Sequence, residues 1–154
     1  MKVKKVSANN RKKVFEIITT RGRFELPYSQ VEPTPSAKNP IRDVYPDPEL
    51  AYDGFTYFLE SGEEGAVVMD QVLEYNKDPD YVRKMLLLEL TVKAQERIKE
   101  SGISKREIIR RMGTTPTQFY RLVDHSNMSK TIDQMVKLLS ALNCHVNLVV
   151  KTAA

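Results

Sequence analysis

The sequence predicts an α+β fold in which a small antiparallel β domain over residues 1–77 precedes a helical domain over residues 78–154. Two observations predict this division. Apolar and polar residues alternate with a period of two early in the chain, and the period changes to 3.6 at Asp78. Five of the eight prolines lie between residues 33 and 48, which indicates an irregular connection inside the β domain.

Two hairpins are predicted within the β domain. Residues 12–20 are rich in Val, Phe, Ile and Thr, residues 23–28 alternate in polarity, and Arg21-Gly22 is the expected loop between them. Residues 55–60 and 66–70 are the expected strands of the second hairpin, separated by a Gly-containing loop. Together these segments predict a small, mostly antiparallel sheet.

A long helix is predicted to begin after Asp78, which is a good N-cap and is followed by Pro79 at the first helical position. The helix is expected to end at Gly102. Apolar residues at every fourth position form its predicted buried stripe: Val82, Leu86, Leu90, Ala94 and Ile98. Neighbouring apolar residues widen this stripe. This face is apolar over a wide arc, so we expect the β domain or a partner chain to cover it.

Three shorter helices each begin with a predicted capping box: Ser104 with Glu107, Thr115 with Gln118, and Thr131 with Gln134. Gly113 is expected to end the first of them and to turn the chain sharply into the second. The last helix has a predicted buried stripe of Ile132, Met135, Val136, Leu139 and Leu142, and Asn143 is its expected left-handed cap. Residues 144–151 alternate in polarity and predict a terminal strand.

Charge is segregated along the chain. Residues 1–23 carry a net charge of +7, residues 24–77 carry −8 and residues 78–154 carry +5. A basic C-terminal region suits a polyanionic partner, although such blocks are also common on solvated faces. The single cysteine excludes an internal disulfide framework, and no apolar run is long enough to cross a bilayer, so we expect a cytoplasmic protein without membrane contact.

The order of a long helix, two capped helices around Gly113, a loop and an amphipathic helix resembles the phage-repressor (Cro and xenobiotic-response-element) family of helix-turn-helix proteins. The resemblance covers residues 86–142 and is carried by Lys105, Gly113, Phe119, Leu122, Thr114-Thr115 and the closing Ala141-Leu142-Asn143. It implies sequence-specific binding of double-stranded DNA by a transcriptional regulator that acts as a repressor and as a homodimer. The β domain is similar only in outline to small domains found fused to such units.

The second helix of this pair is expected to display its polar side chains to DNA. Arg121 suits bidentate contact with guanine, and Thr117 offers a hydroxyl and a methyl group. Base-reading positions, which the resemblance also implies, are Pro116, Thr117, Gln118 and Arg121. Expected phosphate contacts are Lys105, Arg106, Arg110, Arg111, Thr114, Thr115 and Tyr120.

Other functions receive less support from the residues. His125, Cys144 and His145 lack the spacing of a metal site or a Cys–His nucleophile, and no Gly-rich phosphate loop is present, so neither an enzyme nor a cofactor is expected. An antitoxin-like module remains the alternative. In that hypothesis the β domain or the terminal strand binds a partner protein, and the helical domain regulates its own operon.

Overall fold

The computed structural model describes residues 1–152 and shows an α+β chain in which six strands in two antiparallel sheets precede five α-helices, with a short 3-10 helix at Tyr28–Gln30 between the sheets. The chain divides into two compact units, Met1–Tyr81 and Val82–Ala154. This division lies in the first turn of the long helix, whereas the sequence predicted a boundary after residue 77. Among the described residues, no helix has both the length and the apolar character needed to cross a bilayer.

The first sheet has the strand order β1-β2-β3, with β1 at Val3–Asn9, β2 at Val14–Thr19 and β3 at Gly22–Pro27. Thr19 pairs with Gly22, so the hairpin loop is Thr20-Arg21 and not the predicted Arg21-Gly22. β1 was not predicted. Its alternation is interrupted at Lys4-Lys5, where the pairing with β2 also shifts register.

The second sheet has the order β4-β5-β6, with β4 at Ile41–Pro46, β5 at Gly54–Leu59 and β6 at Glu64–Val68. The predicted irregular connection is therefore wrong over β4. Pro40 precedes this strand and Pro46 is its last residue, so their missing N–H groups do not interrupt the hydrogen bonds between the strands. The predicted strand at residues 66–70 is too long, because helix α1 (Met69–Asn76) begins inside it.

Aromatic rings from both sheets fill the core of the first unit. Phe15 of β2 lies with its ring centroid 5.0 Å from Phe55 and 5.1 Å from Tyr57, both on β5. The Tyr57 hydroxyl donates to the carbonyl oxygen of Pro33 at 2.6 Å, and burial raises the pKa of Tyr57 to about 12. The two sheets thus share one apolar interior.

Four helices form the second part of the chain: α2 at Pro79–Ser101, α3 at Lys105–Met112, α4 at Pro116–Val123 and α5 at Ile132–Ala141. Their predicted N-caps are confirmed. The carboxylate of Asp78 accepts the N–H of Tyr81 at 3.0 Å, as expected of an N-cap. Gly102 has a φ of 67° and follows the last residue of α2.

The buried face of α2 differs from the predicted stripe. Leu87, Thr91 and Ala94 are buried, whereas Val82 and Leu86 are exposed. Thr91 donates its hydroxyl to the carbonyl oxygen of Leu87 at 2.6 Å, which satisfies its polar group inside the core. Ala94 of the predicted stripe is buried, and Leu90 and Ile98 pack partly buried against the core, so a pattern that counts Thr as polar rotates the predicted face only partly away from the buried one.

The buried face of α5 is also rotated from the prediction. Met135, Leu138, Leu139 and Leu142 are buried, but Ile132 and Val136 are exposed. Leu138 was not part of the predicted stripe. Because it is buried, the buried face of α5 is rotated about the helix axis relative to the prediction. Asn143 has a φ of 59°, as predicted for the left-handed cap.

The predicted terminal strand over residues 144–151 is wrong. The described residues after Cys144 belong to no helix or strand, and neither sheet includes them. Leu148, Val149 and Val150 are 82%, 74% and 85% exposed. Alternating polarity is not sufficient for a strand, because a strand also needs a neighbour to accept and donate its backbone hydrogen bonds.

Candidate nucleic-acid interface

The segment from α3 to α4 is built by local caps around one left-handed turn. Ser104 accepts the N–H of Glu107 at 3.1 Å, and Thr115 accepts that of Gln118 at 3.2 Å. Gly113 has a φ of 65°, a conformation that favours glycine, and donates its N–H to a carbonyl of the last turn of α3. The sequence predicted these caps and this turn correctly.

The predicted capping boxes are only partly formed. The full reciprocal box is present at α5, where Gln134 also accepts the N–H of Thr131 at 2.9 Å. At α3 the side chain of Glu107 binds arginines instead. At α4 the side-chain amide of Gln118 makes no hydrogen bond within the described chain, so it is available to a ligand.

A single apolar cluster supports both helices from beneath. Ile108 of α3, Phe119 of α4 and Met135 and Leu138 of α5 are completely buried in it, and Leu87 of α2 joins them. Because these side chains come from four helices, α3 and α4 are fixed to one rigid base. Phe119 and Leu122 are buried, as the sequence predicted for the inner face of α4.

The opposite face of α4 is exposed and polar. Thr117, Gln118, Tyr120 and Arg121 lie on it, and Pro116 is exposed at its N-terminus. The guanidinium of Arg121 makes no hydrogen bond or ion pair with any described residue, and the same holds for the hydroxyl of Thr117. All four predicted base-reading residues are therefore solvent-accessible on one short helix.

Four successive carbonyl oxygens at the C-terminal end of α4 accept side-chain hydrogen bonds. Asn127 donates to Arg121 O at 3.0 Å and Gln95 donates to Val123 O at 2.6 Å. Lys130 donates to both Leu122 O and Asp124 O at 2.8 Å. These bonds satisfy the acceptors that a helix leaves open at its C-terminus, and they hold the helix at that end.

Lys130 is the buried member of this set, although the sequence placed it in a polar connection. Burial lowers the pKa of its ammonium group, and the nearby carboxylate of Asp124 partly offsets this effect. Sequence reasoning missed Lys130, Gln95 and Asn127. A positive charge shortly after a helix suits its C-terminal carbonyls, but nothing in the sequence indicates that this particular lysine folds back.

The cations of α3 fall into two groups. Arg106 is exposed and has no partner among the described residues, and Lys105 lies with its Nζ 5.6 Å from the ring centre of Tyr120. Arg110 and Arg111 instead share the carboxylate of Glu107, with nitrogen–oxygen distances of 2.8 Å and 3.1 Å. Lys105 and Tyr120 thus connect the exposed surfaces of α3 and α4.

Glu107 responds strongly to its two arginines. Hydrogen bonds from Arg110 and then Arg111 lower the pKa of its carboxyl group from 4.5 to about 2. Arg111 also donates to Ala141 O at 3.1 Å, which ties α3 to the end of α5. Three of the predicted phosphate contacts are thus less accessible than expected. Arg111 is hydrogen-bonded within the fold, and the hydroxyl of Thr115 accepts a hydrogen bond as the N-cap of α4. Thr114 is half-buried.

Comparison with known proteins found no match to the chain among protein-family models, curated proteins or solved structures.

Proposed function

We propose that this protein binds double-stranded DNA in a sequence-specific manner and acts as a transcriptional regulator, a homodimeric repressor in the cytoplasm. One observation carries the proposal. The exposed face of α4 presents the side chains of Thr117, Gln118 and Arg121, which make no hydrogen bond or ion pair with the described residues, on a helix whose two ends are both fixed by side-chain hydrogen bonds. A ligand that meets this face gains contacts without having to break any.

The chemistry of the exposed side chains suits the major groove, which is wide enough to admit an α-helix. The planar guanidinium of Arg121 matches O6 and N7 of guanine, and the free amide of Gln118 matches N6 and N7 of adenine. Thr117 offers its methyl group to thymine or its hydroxyl to a base edge. Pro116 begins the helix, where the positive end of the helix dipole favours acceptor groups.

The flanking cations supply sequence-independent affinity. Lys105 and Arg106 are exposed at the start of α3 and are suited to phosphate contact, as is the hydroxyl of Tyr120. Arg110 keeps most of its surface exposed while it contacts Glu107. Arg111 makes a smaller contribution in this proposal, because its guanidinium already has two partners within the fold.

Two copies of the protein would place two α4 helices on successive turns of the duplex. Such pairs read half-sites about 34 Å apart, and the two-fold symmetry of the protein appears as an inverted repeat in the DNA. A repressor of this kind acts by occupying an operator that another protein needs. The resemblance of residues 86–142 to phage repressors supports this reading.

Selection of bound sequences from random double-stranded DNA tests the proposal directly. The expected result is enrichment of one motif in an inverted repeat, with affinity that falls steeply as salt rises. The Arg121→Ala variant, selected in parallel, is the matched control and should lose information at one position of each half-site. Recovery of unenriched DNA by the unmodified protein would overturn the proposal.

A further inference from the structure

The first sheet carries a patch of positive charge at the end where β1 begins. Lys4, Lys5 and Arg23 are exposed there, and the charged groups of these three side chains form no hydrogen bond or ion pair with any residue that the structure describes. Arg21, in the adjacent hairpin loop, instead donates to both carboxylate oxygens of Asp78, at 3.2 Å and 3.1 Å. We call Lys4, Lys5 and Arg23 the basic patch.

A β-bulge in β1 produces two of these three exposed charges. The pairing of β1 with β2 shifts register between Val3 and Lys5, so Lys4 is an extra residue in the strand. In a regular strand successive side chains point to opposite faces, and one of two neighbouring lysines would point into the core. Here Val3 and Val6 are buried, whereas both lysines between them are exposed. The bulge therefore directs two positive charges to the solvent in place of one.

Lys5 and Arg23 lie on the same face of the sheet at a spacing that the strands set. Lys5 is opposite Ile18, and Ile18 is opposite Arg23, and residues directly opposite each other share a face. Neighbouring strands are about 4.8 Å apart, so the backbones of Lys5 and Arg23 are separated by about 10 Å. Duplex DNA carries one phosphate per strand for about every 3.4 Å of its axis. The two side chains can therefore reach different phosphates of one DNA strand.

Backbone hydrogen bonds fix the bulged end of β1. Val3 donates its N–H to the carbonyl oxygen of Tyr52 at 2.8 Å, and Thr20 donates its N–H to the carbonyl oxygen of Lys2 at 3.0 Å. The ammonium group of Lys2 also donates to the carbonyl oxygen of Ala51 at 2.6 Å. The backbone that carries the basic patch is thus held before any ligand binds, which reduces the entropy lost on binding.

Two carboxylates on the same face mark where the basic patch ends. Glu16 lies opposite Glu25, further from the hairpin loop than Lys5 and Arg23. Asn9 donates to Glu16 at 2.8 Å, and the ammonium group of Lys12 lies 3.5 Å from a carboxylate oxygen of Glu25. These carboxylates therefore have partners other than the patch. Their negative charge confines a polyanion to the end of the sheet that carries the bulge.

We propose that the basic patch binds the phosphate backbone of duplex DNA, as a sequence-independent contact beyond those of α3 and α4. The inference rests on the proposed function, which supplies the duplex. Cations without carboxylate partners are suited to a regular row of negative charges, because each phosphate contact releases a condensed counterion. The two lysines and the arginine thus add affinity without reading sequence.

The composition of the patch favours a duplex over other partners. Lysine is depleted in protein–protein interfaces. Ile18, the apolar residue between Lys5 and Arg23, is half-buried, so it offers little surface to a protein or to lipid chains. Single-stranded nucleic acid is bound largely by stacking on aromatic rings, and the patch itself consists of two lysines and one arginine.

The salt dependence of DNA affinity tests this inference on the full chain. The probe is a duplex of about 30 base pairs with random sequence, and fluorescence anisotropy measures its binding at a series of salt concentrations. The double variant Lys5→Gln with Arg23→Gln should reduce the slope of log affinity against log salt by about 1.8 units, since each phosphate contact contributes about 0.9. The motif selected from random DNA should stay the same, because the lost contacts carry no sequence information.

Two control variants separate the patch from net charge. Lys12→Gln with Lys38→Gln removes the same number of positive charges from exposed positions outside the patch, and the slope should stay as in the unmodified protein. Lys5→Arg with Arg23→Lys keeps both charges in place, so it should also keep the slope.

An unchanged slope in the Lys5 and Arg23 double glutamine variant would overturn the inference, as would an equal change in the Lys12 and Lys38 control. A loss confined to binding of a single-stranded oligonucleotide or of vesicles with anionic lipid would also overturn it, because the patch would then bind a different polyanion. A reduced slope in a chain that selects no sequence would refute the proposed function alone. A selected motif with an unchanged slope would refute this inference alone.

Discussion

The ammonium group of Lys130 donates a hydrogen bond to the carbonyl oxygen of Leu122 at 2.8 Å, inside the fold and at the last turn of α4. The same nitrogen reaches the carbonyl oxygen of Asp124 at an equal distance. A lysine from the loop before α5 thereby closes the C-terminal end of the helix that carries the proposed base-reading residues. Substitution of Lys130 therefore tests whether these hydrogen bonds stabilise α4.

Lys130→Met should destabilise the protein by about 1–3 kcal/mol, because it removes the donor to one buried and one partly buried carbonyl oxygen while keeping a side chain of similar length. Equilibrium unfolding in urea measures this change. Lys137→Met is the control. Lys137 is exposed and, among the described residues, forms only an ion pair with Asp133 at 3.3 Å, so its loss should cost at most about 0.5 kcal/mol. Equal effects of the two variants would refute a special role for Lys130.

Arg121→Ala should remove about 1–3 kcal/mol of discrimination at one base pair of each half-site. It should leave the fold unchanged, because the Arg121 guanidinium has no partner among the described residues. Binding measured on a set of single-base operator variants detects the relaxed position. Arg121→Lys separates charge from geometry, since lysine keeps the charge but lacks the planar fork. If the lysine variant discriminates as well as the unmodified protein, Arg121 contacts phosphate and not guanine.

Glu107→Gln should remove a pH-dependent part of the stability. The pKa of Glu107 is lowered in the folded protein, so its contribution is fully present above about pH 4.5 and is lost as the pH falls toward 2. The free energy of unfolding of the variant should therefore lie below that of the unmodified protein near neutral pH, and the two should converge in acid. Urea unfolding over this pH range measures the difference, and a gap that persists at pH 2 would contradict it.

The same variant has an expected effect on DNA. Arg110 and Arg111 lose their shared carboxylate in Glu107→Gln and become available to phosphate oxygens. The dependence of the logarithm of affinity on the logarithm of salt concentration should therefore steepen by about one unit. An unchanged slope would show that neither arginine approaches the duplex.

Gly113→Ala should destabilise the protein by about 1–2 kcal/mol through backbone conformation alone. Gly113 has a φ of 65°, and a Cβ at this position would meet nothing within 4 Å, so no steric contact contributes. Gly113→Asn should recover part of the loss, because asparagine tolerates the left-handed conformation. Thermal unfolding of both variants measures the order, and an alanine variant as stable as the unmodified protein would contradict the prediction.

Most of the helical part could be predicted from the sequence, because the residues that begin and end these helices act on backbone groups close to them in the chain. Ser104, Gly113 and Thr131 act on neighbouring backbone groups, so the starts and ends of α3, α4 and α5 followed from short segments. The strand β4 was missed because five prolines in one region indicate an irregular segment. The sequence does not show that Pro40 and Pro46 lie at positions where a strand tolerates proline. The terminal strand was predicted from alternation alone, and alternation does not reveal whether a neighbouring strand exists.

The exposed and buried residues of the candidate interface were predictable to different degrees. The outer face of α4 followed from helical periodicity, since Phe119 and Leu122 mark its inner side. The hydrogen bonds from Gln95, Asn127 and Lys130 join residues that are not neighbours on one helix face, and no pattern in the sequence encodes such tertiary contacts. The rotation of the buried faces of α2 and α5 has the same origin, because it depends on how four helices fit together.

The separation between the two faces of α4 has a consequence for how this protein can change over evolution. The cap at Thr115, the hydrogen bonds at the C-terminal end and the buried Phe119 and Leu122 hold α4 in place, whereas the side chains of Thr117, Gln118 and Arg121 make no hydrogen bond or ion pair with the described residues. Mutations at these three positions can therefore accumulate at little thermodynamic cost. New target preferences can arise by drift on an unaltered scaffold, without a compensating change elsewhere in the chain.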